Sequence, residues 1–281
     1  MKNSRGHKRE NGARSSWLHG KHALITGASS GIGKELSEHL VGTCRRLTLI
    51  ARNSGRQLTA LKKELEALQA RRPSEVSTVI ETHQLDVRDI AKAAALIKKI
   101  YAGDRDQVDV FVNCAGGSHV YGTFESMSRT DIESIFDVNA KAPIFWLREL
   151  LPHMKKNSFA AGDLKRGHVI MLSSRSGERT LPKLSVYTAA KGSVEKLIEA
   201  MQKEYAQYRI VFTLINPGSI NTAFTSRWAT VTRNAHNEES MTVAQAVEPI
   251  LQVLRSQIAT NKVSYESVEQ WLNEPGVLRT R

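Results

Sequence analysis

Cysteine is scarce in this chain: Cys44 and Cys114 are the only two in 281 residues. Two thiols cannot make a disulfide framework, and such sparse use fits a reducing compartment in which both read as small packed hydrophobes. Long apolar runs are also missing. None approaches the roughly 18 residues of a membrane-crossing helix, because Lys, Arg or His interrupts even the longest, so no membrane span is expected. The opening stretch MKNSRGHKRENGARSSWLHGK lacks the apolar segment of about 7 to 15 residues that marks a secretory signal, which makes a cytoplasmic location the expectation. Metal-site spacings are absent as well. The nine His are scattered without H-E-x-x-H or paired cysteines, each reads as a surface or loop residue, and no metal is expected. No Gly-x-Ser-x-Gly elbow points to a hydrolase.

Acidic residues are in deficit, 28 against 40 Lys and Arg, for a formal charge of +12. Such an excess raises nucleic acid or an anionic substrate as partner. Its distribution weakens the first. Lys2, Arg5, Lys8, Arg9, Arg14 and Lys21 face only Glu10 in the first 21 residues, so much of the excess sits in a tail containing Gly, Ser and Asn. Residues 1–20 read as a solvated, disordered tail. The alternatives are a transit peptide, which it resembles only in being Arg-rich and acid-poor, and a weak polyanion contact. No specific nucleic-acid partner is expected.

What is present is a globular composition, 41% hydrophobic and 24% charged, in a length that a single core can hold. From residue 21 short apolar runs alternate with longer amphipathic segments, the pattern of βα units around a parallel sheet. Strands are predicted at 22–26, 46–51, 76–85, 108–113, 168–173 and 209–216, with 263–265 as a possible edge strand. Helices are predicted at 33–40, 54–70, 90–101, 129–154 (broken near Pro143), 184–208 and 242–258. Over 54–70, Leu58, Leu61, Leu65 and Leu68 recur at spacings of three and four and make one apolar stripe. The reading is one α/β domain, a doubly wound and mostly parallel sheet, over 21–268. It includes a segment near 222–240 that covers the site, and 269–281 form a C-terminal extension.

Between the first strand and first helix stands TGASSGIG, Thr26 to Gly33. A chain turning from strand into helix uses one Gly for the turn, another for close approach to a pyrophosphate and a third for helix–strand packing, and the anion rests on the helix N-terminus. A turn that merely requires Gly is the alternative. Three further matches follow: Asn113-Cys114-Ala115-Gly116, Ser174, and Tyr187-Thr188-Ala189-Ala190-Lys191.

Together these motifs resemble the short-chain dehydrogenase/reductase family across about residues 20 to 265. Asn139 in DVNAKAP and Asn216-Pro217-Gly218 with Thr222 extend the likeness. Cys114, where the family often has Asn or another small residue, and a longer loop before the fifth strand depart from it. The resemblance implies hydride transfer between a nicotinamide cofactor and a carbonyl or alcohol. Tyr187 would be the general acid and base, Ser174 would bond the substrate oxygen, and Lys191 would bond the ribose. Asn139 would support a proton relay, or alternatively be a buried helix-kink residue; for Ser174 the alternative is a cap, and Ser173 is assigned to structure. Residues four apart share a helix face, so Lys191 can hold its ammonium near the Tyr187 hydroxyl and draw its pKa down from about 10.

The same resemblance assigns the cofactor site to Gly27, Ser29, Ser30, Gly31, Ile32, Gly33, Arg52, Asp86, Asn113, Ala115, Gly116, Tyr187, Lys191, Pro217, Gly218 and Thr222. Asn113, Ala115 and Gly116 would contact the adenine ribose or support the sheet, and Asp86 would lie near the adenine amino group or cap the next helix. At the end of the second strand the acid that selects NAD is missing, Ala51 stands there, and Arg52 follows, which favours the 2′-phosphate of NADP.

An NADP-dependent carbonyl reductase or alcohol dehydrogenase is the leading expectation. The alternatives are a 3-ketoacyl or 3-ketosphinganine-type lipid reductase, since LIARN and the helix after it resemble the latter, and a non-catalytic NADP sensor. A homodimer or homotetramer is expected by analogy. Arg175, Arg227 and Trp228, with Arg179, Arg233 and His236, offer donors for an anionic substrate of modest size.

Overall fold

A computed structural model describes residues 16–52, 55–72, 74, 76–103, 106–178, 180, 182–221, 240–257 and 259–265. The lid residues Thr222, Arg227, Trp228, Arg233 and His236, together with Arg179, the first fifteen residues and the C-terminal extension, lie outside them.

The chain order is β1 (His22–Thr26), α1 (Gly31–Leu40), β2 (Arg46–Ala51), α2 (Gly55–Arg71), β3 (Val79–Gln84), α3 (Ile90–Ile100) and β4 (Val110–Asn113). It continues with α4 (Arg129–Phe136), α5 (Ala142–Met154), β5 (Gly167–Leu172), α6 (Arg175–Glu178), α7 (Ser185–Tyr205), β6 (Ile210–Pro217), α8 (Val243–Arg255) and β7 (Lys262–Tyr265). The seven strands form one parallel sheet in the order β3-β2-β1-β4-β5-β6-β7. Strands buried on both faces read as unbroken apolar runs, and β1, β4 and β5 are buried at every position.

Successive strand side chains enter opposite layers. Leu24, Phe111, Val169 and Phe212 pack with α3, α5 and α7, whereas Ala23, Ile25, Val110, Val112 and Ile170 pack with α1, α2 and α8. Strand order reverses between β1 and β4, and ligands in such sheets bind in the crevice at the carboxyl ends of those strands.

The structure departs from the sequence expectation at the tail and at two histidines, and it sharpens the expected helix break and edge strand. The folded part begins by Ser16, because Trp17 and Leu18 are buried in the second core and the Trp17 indole N–H donates to the Lys165 carbonyl at 3.2 Å. The long helix breaks at Asp137–Lys141, a wide π turn, just before Pro143 in the first turn of α5. The 263–265 run is a true edge strand, parallel to β6. His22 and His168 are fully buried rather than superficial: His22 is the first residue of β1 and His168 the second of β5, and each meets a threonine of the neighbouring strand, Thr48 or Thr213, at 2.8 Å.

Candidate active site

Gly27 has φ +68°, which an L side chain rarely adopts, and a Cβ there would lie 2.8 Å from the Ala115 amide. A Cβ on Gly33 would collide with the Gly27 carbonyl, so the third glycine lets helix and turn touch. Ser30, the N-cap of α1, is exposed and makes no side-chain capping bond. The helix therefore opens toward the crevice with its first-turn N–H groups uncapped by Ser30, the arrangement that accepts an anion.

Across the switch point the Thr26 hydroxyl donates to Asn113 Oδ1 at 3.0 Å and accepts from the Ala115 amide at 3.3 Å. Thr26 thus ties the ends of β1 and β4 together, a role that depends on strand adjacency. The Asn113 amide also donates to the Ala115 carbonyl at 3.4 Å, so this side chain supports the sheet. Arg52 is exposed at the end of β2. Asp86 lies beyond β3, its carboxyl held below the usual range first by hydrogen bonds from Arg88 and, more weakly, by Arg52. The cap of α3 is Asp89, which accepts from the Lys92 amide, so the capping alternative for Asp86 is not realised.

Tyr187 and Lys191 are both buried on α7, and the Lys191 ammonium lies 5.8 Å from the Tyr187 ring centre. The Tyr187 hydroxyl hydrogen-bonds Ser174. Ser174 Oγ also accepts from the Ser176 amide at 3.1 Å and donates to the Ser176 hydroxyl, so it caps α6 while facing Tyr187. The Lys191 ammonium donates to the Leu172 carbonyl at 2.9 Å. Burial pulls Lys191 down to about 8 against the opposing pull of Glu195. The expected lowering of the Tyr187 pKa is not found: burial penalises the phenolate and pushes the phenol up to about 12, outweighing the Ser174 hydrogen bond.

Asn139 is buried within the π turn, where its amide donates to the carbonyls of Gly117 and Ile135 and its oxygen accepts from the Gly117 amide. A Cβ on Gly116 would lie 2.9 Å from Asn139 Oδ1 and 3.1 Å from Lys191 Nζ, so both groups close on one glycine. Pro217 ends β6 and Gly218 follows it, while Arg175 opens α6 directly after Ser174. Among residues that the sequence motifs did not single out, Gly117, the Leu172 carbonyl and Glu195 prove central. Among the described residues no group of three His, Cys, Asp or Glu could hold a metal ion.

The profile of the short chain dehydrogenase family matches residues 21–232. The chain belongs to this family. It is 29% identical over 208 residues to an uncharacterized oxidoreductase of Staphylococcus saprophyticus, covering 73% of this chain and 80% of the relative. It is 30% identical over 206 residues to bovine 3-ketodihydrosphingosine reductase, covering 73% of this chain but only 58% of that enzyme. Two solved structures share the fold. A short-chain dehydrogenase of Shigella flexneri, complexed with NADP, superposes with a TM-score of 0.72 at 21% identity over 91% of this chain and 100% of the other. An NADH-dependent reductase of alginate metabolism gives 0.72 at 20% identity over 88% and 96%. The family is one of nicotinamide-dependent oxidoreductases, and no helix among the described residues is long and apolar enough to cross a membrane.

Proposed function

We propose that this dehydrogenase interconverts a carbonyl and an alcohol with NADP as cofactor. The observation that carries this reading is the joining of Tyr187 to Ser174 beside a Lys191 ammonium anchored on the Leu172 carbonyl. A bound nicotinamide would supply or accept the hydride. The glycine turn Gly27–Gly33, including Ser29, Ser30, Gly31 and Ile32, fits a pyrophosphate because Gly27 and Gly33 let the turn pack tightly against the end of β4 and the first turn of α1, whose N-terminus Ser30 leaves uncapped. Arg52, Asp86, Ala115, Gly116, Pro217, Gly218 and Thr222 are assigned to its remaining contacts.

In reduction the Tyr187 hydroxyl gives its proton to the substrate oxygen, and Ser174, turning its hydroxyl proton away from Ser176, donates a second hydrogen bond to that atom as negative charge develops. A phenol pushed up to about 12 stays protonated at neutral pH, which suits a proton donor. The phenolate left behind is compensated by the Lys191 charge. Lys191 spends one N–H on Leu172 and keeps two for the ribose and the proton path, where Asn139 lines the same glycine. This complete set argues against a sensor without turnover. Cytoplasmic residence and a homo-oligomer go with this reading.

Tyr187→Phe tests it: the ring and its packing remain while the proton donor is lost. Ketone-dependent NADPH oxidation should fall by at least about 100-fold with NADPH binding nearly retained. Near-wild-type turnover in this variant overturns the mechanism.

For the substrate, Arg175 beside Ser174 supports an anionic ketone or aldehyde of modest size, with Arg227 and Trp228 assigned to the lid. Likeness to the bovine 3-ketodihydrosphingosine reductase supports a lipid ketone instead. A keto acid compared with its methyl ester separates them. Preference for the acid, lost in Arg175→Ala, supports the first; preference for the ester, unchanged in that variant, supports the second.

A further inference from the structure

Three residues one turn apart on α7, Tyr187, Lys191 and Glu195, grip three consecutive residues at the end of β5. Tyr187 bonds Ser174, Lys191 donates to the Leu172 carbonyl, and Glu195 takes the side chain between them, accepting from the Ser173 hydroxyl at 2.7 Å. Ser173 and Ser174 point to opposite sides of an extended chain, so Glu195 holds the face of β5 that the other two leave. Its remaining contacts are also donors: the Asn216 amide of β6 at 3.1 Å and the Lys262 ammonium of β7 at 3.3 Å. A carboxyl group met by three donors is arranged as an acceptor-only carboxylate. It is 4% exposed, and a Cβ on Gly177 of α6 would collide with it, so α6 also packs against this charge.

Burying a carboxylate with one partly exposed cation beside it is costly, and this one is retained one helical turn from Lys191. We propose that Glu195 is a positioning residue for the reaction: its negative charge keeps the buried Lys191 ammonium protonated, and its hydrogen bond to Ser173 fixes the strand end that presents Ser174 to Tyr187. The carboxylate sits one helical turn from Lys191. The other titratable groups facing Lys191 are Cys114 from the end of β4, whose thiol burial pushes up to about 12 and so keeps neutral, and the phenol of Tyr187. Glu195 is therefore the group that opposes the desolvation of Lys191 at working pH. The proposal rests on the functional reading above.

Its test reads Lys191 directly, without substrate or nucleotide. In the full-length protein carrying 13Cε-labelled lysine, the Lys191 resonance is assigned by its loss in Lys191→Met and titrated by NMR. Glu195→Gln keeps the shape and an oxygen for Ser173 and Asn216 but removes the charge, and should lower the Lys191 midpoint by about one pH unit. Lys262→Gln, a change at a partly exposed site, should raise it by removing the competing cation. The Lys165 resonance, from the far end of the sheet, should stay in place. A Lys191 midpoint unmoved in either variant overturns the proposal, and a Glu195→Gln chain that fails to fold leaves Lys262→Gln to decide it. NADPH affinity is then measured against pH in both proteins. Loss of its alkaline limb at lower pH in Glu195→Gln supports the coupling; absence of NADPH and NADH binding in the wild type, with the Lys191 midpoint displaced as expected, refutes the functional reading and leaves the electrostatic link standing.

Discussion

Asn139 and Gly117 exchange two hydrogen bonds, the Gly117 amide donating to Asn139 Oδ1 at 2.8 Å and the Asn139 amide donating to the Gly117 carbonyl at 2.7 Å. A side chain here imitates the pairing of one strand with another. It locks the loop after β4 to the π turn, and the Asn139 amide donates a third bond to the carbonyl of Ile135 in the last turn of α4. The kink and the site are therefore one device, and the two readings of Asn139 made from sequence are compatible.

Gly116 should tolerate no side chain, because a Cβ would lie 2.9 Å from Asn139 Oδ1 and 3.1 Å from Lys191 Nζ. Gly116→Ala is expected to cut turnover by at least about tenfold through displacement of one of these groups. Asn139→Ala should also lower stability by about 1 to 3 kcal/mol, since the Gly117 amide and carbonyl lose their partner. Steady-state kinetics and thermal melts check both. Wild-type turnover in Gly116→Ala refutes the packing argument.

Arg52 stands exposed where β2 ends, with no acid at Ala51. A charged contact to a 2′-phosphate is worth about 1.5 to 3 kcal/mol, so kcat/KM should favour NADPH over NADH by roughly tenfold to hundredfold. Arg52→Ala should erase most of that preference and leave NADH kinetics unchanged. Equal kcat/KM for the two cofactors in the wild type contradicts the assignment.

Much of the fold was legible because burial on both faces writes itself as apolar runs: HALIT, RLTLIA and RIVFTLIN fall on β1, β2 and β6 within a residue or so. The motif residues were legible because the chemistry is local, a glycine turn before a helix and a Tyr and Lys one turn apart. What was illegible needs knowledge of strand neighbours. Thr26 meets Ala115 and Asn113 across 87 or more residues, and Glu195 meets Ser173 and Lys262 only after the sheet has formed. His22 and His168 look polar in sequence, yet each becomes an interior residue once a parallel neighbour supplies a threonine. The Tyr187 pKa was misjudged for a related reason: spacing reveals a nearby cation but not how far burial penalises the phenolate.

Lys165 offers a stability test at the opposite end of the sheet from the crevice. It is 1% exposed, with its ammonium 4.2 Å from the Trp17 ring centre and 3.2 Å from His168 Nδ1. Thr213 donates its hydroxyl proton to the Thr260 carbonyl, so it accepts from His168 Nε2–H, which leaves Nδ1 as an acceptor aimed at Lys165. Burial pulls Lys165 from 10.5 to about 7, against the pull of Asp163 and with a small further push from Lys21. Between those two values the unfolded chain holds a proton that the folded chain has given up, so stability rises with pH across that window and is lost as pH falls through it. Lys165→Met fills a similar volume without a titrating group and should remove about 2 to 4 kcal/mol of the rise in unfolding free energy between pH 7 and 10. The loss of a donor to His168 shifts both pH values alike and cancels in the difference, as does the similar contribution of Lys191. Urea denaturation of both proteins at the two pH values measures it, and an equal rise in wild type and variant would show that Lys165 is charged in the folded protein throughout.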